Sequence, residues 1–72
     1  KLFPNPTSEL LNVELPVQMN SALVLDAQGE ELMSIEINEL VFAIDTSKME
    51  KGIYLLLVKN DAQSSVTRFI ID

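Results

Sequence analysis

The stretch that most constrains this chain is Gly52-Ile53-Tyr54-Leu55-Leu56-Leu57-Val58, its densest apolar run, flanked by Met49-Glu50-Lys51 and by Lys59-Asn60-Asp61. Seven residues are too few for a stable lone helix. A β-branched residue and an aromatic near the start, with turn formers on both sides, predict a central strand covered on both faces. Gly52 opens the run and tolerates a positive φ, so the turn before the strand can be tight. Tyr54, Leu56 and Val58 form one face, and Ile53, Leu55 and Leu57 the other. One of these apolar faces is core. The second has to be covered by a sheet or a partner, or to remain as an exposed patch of the kind that marks interaction sites.

Most of the other segments read as strands that pair with this one or pack on it. The exception is the start, Lys1-Leu2-Phe3-Pro4-Asn5-Pro6-Thr7-Ser8, a boundary segment whose two prolines bias Phe3 and Asn5 toward extended geometry. Phe3 is expected to anchor under a sheet edge, while Asn5, Thr7 and Ser8 supply local side-chain-to-backbone bonds. Leu11, Val13 and Leu15 alternate with Asn12 and Glu14, a half-buried strand stopped by Pro16. Ser21 to Asp26 places Ala22 and Val24 opposite Leu23 and Leu25. Asp26-Ala27-Gln28-Gly29 then predicts a hairpin into Glu31 to Ile37, with Met33, Ile35 and Ile37 facing the core and Leu32 at the rim. Val41 to Ile44 is short, with Phe42 and Ile44 on one face. After it, Asp45 either caps a single helical turn near Ser47 to Glu50 or closes a surface turn without helix. Ser65 to Asp72 is the last strand, with Val66, Arg68 and Ile70 opposite Thr67, Phe69 and Ile71. Short strands with turn signals between them, and no sustained helical period, predict an all-β, antiparallel two-sheet sandwich of six to seven strands, formed as a single domain over residues 1–72.

At 72 residues such a domain buries only about 60% of its unfolded surface, so its stability is expected to be modest. The formal net charge of −6, with Lys1, Lys48, Lys51, Lys59 and Arg68 scattered, argues against nucleic acid and against an anionic membrane surface. No apolar run approaches the roughly 18 residues that span a bilayer as a helix, and no basic segment precedes an apolar one as in a secretory leader. An export address is therefore expected in the fold itself or outside this stretch. The absence of cysteine leaves the compartment open.

Catalysis is not expected. Without His or Cys, the commonest general base and the best thiol nucleophile are missing. Ser47 and Lys48 are adjacent, so on a strand they would point to opposite faces. A pair of carboxylates around a sugar would need a larger enclosure than this chain can build. No cofactor is implied. For metals, only hard oxygen ligands remain, at Asp26, Glu30 and Glu31 and at Asn60 and Asp61, and their spacing matches no EF-hand loop.

Five pieces occur in a suggestive order: Phe3-Pro4-Asn5-Pro6, Leu11-Asn12-Val13, Leu25-Asp26-Ala27-Gln28-Gly29, Met49-Glu50-Lys51-Gly52-Ile53-Tyr54-Leu55-Leu56 and Val66-Thr67-Arg68-Phe69-Ile70. Together they resemble the C-terminal sorting domain of type IX secretion cargo in the Bacteroidetes, over nearly the whole chain. The resemblance implies a small immunoglobulin-like β-sandwich at the end of a larger exported protein. It also implies recognition by the outer-membrane translocon, removal by a surface sortase, and delivery of an upstream passenger through the periplasm to the cell surface or the extracellular space. Recognition is expected to involve Gly52 and the last strand, Val66, Thr67, Arg68, Phe69, Ile70, Ile71 and Asp72, whose edge could template a receptor strand or pair weakly with a second copy. The competing expectation is an accessory adhesion or spacer module of a surface protein.

Overall fold

The computed structural model describes Leu2, the backbone of Phe3, and residues 9–72. The expectations for the side chains of Phe3, Asn5, Thr7 and Ser8 lie outside the described residues. Among the described residues, seven strands occur in two antiparallel sheets: β1 Leu2–Phe3, β2 Leu10–Glu14, β3 Ser21–Leu25, β4 Glu31–Glu36, β5 Val41–Asp45, β6 Gly52–Lys59 and β7 Ser64–Ile71. The smaller sheet has the order β1-β2-β5 and the larger β4-β3-β6-β7. No helix forms among the described residues.

The period-two segments bury the residues that alternation selects. Leu11 and Val13 on β2, Ala22 and Val24 on β3, and Ile44 on β5 are all buried, with Met33, Ile35 and Phe42 packed beside them. β6 lies inside the larger sheet, paired with β3 on one side and β7 on the other. Its Tyr54, Leu56 and Val58 enter the core. The opposite face stays partly open, with Leu55 and Leu57 half-buried and Ile53 47% exposed, so among the described residues no second sheet covers it.

The turns follow their local chemistry. At the β3–β4 hairpin, Asp26 Oδ1 accepts from the backbone N–H groups of Gln28 and Glu30, each at 2.9 Å, and Gly29 takes φ +88°. The register shifts between Val24 and Leu25, so Val24 faces Met33 but Leu25 faces Glu31, leaving Leu32 as the extra residue of a bulge. Leu32 is 50% exposed, as expected of a rim position. After β5, Asp45 Oδ1 accepts from Ser47 N–H at 2.9 Å in a turn without helix, the second of the two alternatives for this segment.

Candidate functional site

The residues implicated in recognition converge on the β6–β7 hairpin. Four residues connect these strands, and Asn60 organises them: its Oδ1 accepts from Ala62 and Gln63 N–H at 2.8 and 2.9 Å, while its Nδ2 donates to the Gln18 carbonyl at 2.9 Å. Gln63 in turn accepts from Asn60 N–H through its carbonyl at 2.9 Å. This Asx-type turn fixes where β7 begins. From there the antiparallel register runs unbroken from Lys59↔Ser64 to Gly52↔Ile71, so Gly52 and Ile71, nineteen positions apart in the chain, are direct neighbours.

Within β7 the implicated residues divide. Phe69 and Ile71 are buried, and their side chains belong to the core. Phe69 stacks on Tyr54 with ring centroids 5.8 Å apart, and the Tyr54 hydroxyl donates to the Glu50 carbonyl at 2.6 Å, tying the approach of β6 to this stack. Val66, Thr67, Arg68, Ile70 and Asp72 are on the surface. Gly52 adopts φ +153°, a conformation reserved for glycine, and a Cβ there would meet only Tyr54 Cε1 at 3.9 Å. Backbone conformation, rather than crowding, is what requires the glycine. Its role is to start the strand that carries Tyr54, and no receptor contact is needed to explain it.

Among the described residues β7 is the terminal strand of its sheet, with β6 as its single strand neighbour. Every residue from Ser64 to Arg68 is exposed, including Ser65 and Thr67, which alternate with the core-facing Phe69 and Ile71. Ser65 and Thr67 border a crevice of about 290 Å³ whose apolar lining comes from Leu2, Val13, Leu15, Met19, Leu56 and Val58. None of the described lining residues ionises. The crevice offers an apolar lining and bordering hydroxyls, suited to an extended chain and without groups for acid–base work.

Two buried residues are unmarked in the sequence. Met19 lies in a polar connection after Pro16, yet it is buried. Thr46 is fully buried, and both its N–H and its hydroxyl donate to the Glu9 carbonyl, at 2.7 and 3.0 Å, bonding the start of β2 to the end of β5. The neighbouring Asp45 carboxyl is held below the ordinary carboxylate range by hydrogen bonds from the Ser47 side chain and backbone. Among the described residues, no three His, Cys, Asp or Glu side chains gather as metal ligands.

No curated protein matches the chain. A family model described as the secretion system C-terminal sorting domain matches residues 1–72 in full, and the two-sheet sandwich accords with it. The chain belongs to this family, whose members are sorting signals for type IX secretion and mark proteins for export to the cell surface or extracellular space.

Proposed function

We propose that this sandwich is the C-terminal, non-catalytic address of a larger exported protein, and that the outer-membrane translocon reads the exposed half of β7. The observation that carries the reading is the edge position of β7 together with exposure of both its faces from Ser64 to Arg68. A receptor strand could add to this edge by main-chain pairing, with Val66 and Arg68 on one side and Thr67 on the other supplying side-chain discrimination. Phe69 and Ile71, as core residues, hold the address in shape, and Asp72 follows them on the surface. A surface sortase then removes the domain from its passenger. The absence of His and Cys supports a role without chemistry.

Fusion behind an exported reporter in a type IX-competent host tests this proposal. The intact domain should bring the reporter to the surface. Deleting Val66 to Asp72 would also remove core side chains, so surface changes are the sharper probe. The pair Val66→Asp and Arg68→Glu should strand the reporter in the periplasm while leaving the melting temperature of the isolated domain within a few degrees of the parent. Export of the doubly substituted fusion at normal yield would show that β7 is not the address.

A further inference from the structure

The outward face of the larger sheet is apolar at its centre and oppositely charged at its two margins. The register fixes its rows across β4, β3, β6 and β7. One reads Ser34, Leu23, Leu57, Val66, and the next Glu31, Leu25, Leu55, Arg68. A third, at the opposite end of the leucine rows from Ile53, reads Glu36, Ser21, Lys59, Ser64. The acidic residues stand on β4 and the cations on β6 and β7. Glu31 and Arg68 are three strand spacings apart, about 14 Å, too far to pair within one molecule.

We infer that this face binds a second copy of the chain, stacked sheet on sheet about a two-fold axis parallel to the strands. Such an axis reverses the order of strands and preserves the rows. Glu31 of each copy then lies opposite Arg68 of the other, Leu25 opposite Leu55, and Leu23 opposite Leu57. Glu36 falls opposite Ser64, one strand away from Lys59 of the other copy. A pattern that changes sign across its midline is its own complement under this rotation, which is how an isologous interface satisfies charge at both margins at once. The roughly 30° rotation usual between stacked sheets leaves these pairs within reach, because Glu and Arg have long side chains.

The face is small. Four strands at about 4.8 Å spacing and three rows at about 6.8 Å cover about 400 Å² on each copy, near 800 Å² in total, which is the size of a transient interface. Association should therefore be weak and depend on concentration, with a dimer populated only toward about 0.1–1 mM. This arrangement leaves the main chain of the β7 edge free of the second copy but covers Val66 and Arg68, so the dimer and the side-chain recognition proposed above compete for those two residues.

Sedimentation of the 72-residue chain across that concentration range, together with a charge exchange, provides the test. In the Glu31→Arg variant and in the Arg68→Glu variant, each homodimer sets like charges against each other, and dimerisation should fall at least about tenfold. An equimolar mixture restores opposite charges at both margins and should recover dimerisation to the parent level. Both positions are exposed, so the variants should fold, and circular dichroism checks that they do. A parent chain that remains monomeric at about 1 mM would overturn the inference. So would a mixture that associates no better than its components, since association would then run through another surface.

Discussion

The two ends of the sandwich are built differently. At one end, where β5 passes to β6 and β7 finishes, Thr46 bonds the Glu9 carbonyl twice, Tyr54 bonds Glu50 and stacks on Phe69, and Ile71 closes the core. At the other end, where β7 begins, a crevice is lined from both sheets, and Ser65 and Thr67 border it with exposed side chains. The same strand is therefore structural over its last residues and available over its first. Its exposed first half can therefore be altered with little cost to the core that its last residues build.

The largest expected effect tests the closed end directly. Phe69→Ala removes a fully buried ring and its stacking contact with Tyr54, and should cost about 3–5 kcal/mol, while Thr67→Ala at the open end should stay within about 0.5 kcal/mol. Equal losses in urea titrations would erase the distinction between the ends. Gly52→Ala comes next. A side chain has space there but not the backbone conformation, so about 1–3 kcal/mol should be lost, and a β-branched residue should cost more. If crystallography of the Ala variant found the same φ with no loss of stability, strain would not be what fixes the start of β6.

Thr46→Val keeps the shape and removes the hydroxyl. Glu9 would still receive the backbone N–H of residue 46, so a loss of about 1 kcal/mol is expected, measurable as a shift of the denaturation midpoint. The smallest effect concerns Asp45. Its carboxyl titrates lower in the folded chain than the ordinary value of 3.8, so its ionised form favours the fold above that pH, and the benefit disappears as pH falls through the lower, folded value. Relative to Asp45→Asn, the parent's melting temperature should rise as pH climbs from strong acid to about 4 and then hold a constant offset. A constant offset at all pH values would mean that the Ser47 contacts do not favour the charged form.

Much of this was legible in the sequence because alternation is local. Leu11 and Val13, Ala22 and Val24, and Phe42 and Ile44 declare their inward face by spacing alone. Asp26 and Gly29 likewise declare their hairpin. Sheet membership was harder. That β2 leaves its successor β3 to pair with β5 in the other sheet depends on contacts between distant segments, which periodicity does not report. Because β6 is apolar on both faces, its pattern left open which side would be covered. Thr46 and Met19 were hidden for opposite reasons: one is a polar residue whose burial depends on a distant carbonyl, and the other an apolar residue set in a polar connection. In β7, alternation separated Val66, Arg68 and Ile70 from Thr67, Phe69 and Ile71, but it gave no sign that burial would change halfway along.

The strand order also carries a consequence in time. Pairing of β2 with β5, and of β3 with β6, joins residues such as Leu11 and Ile44, or Leu23 and Leu57, that lie more than thirty positions apart in the chain. Non-local pairings of this kind place folding in the millisecond-to-second range rather than the microsecond range of helical bundles. Because Phe69 and Ile71 fill the core, the sandwich reaches its full packing only after β7 has arrived. For a chain delivered from its N-terminus, this fold can be completed only once β7 itself has been delivered.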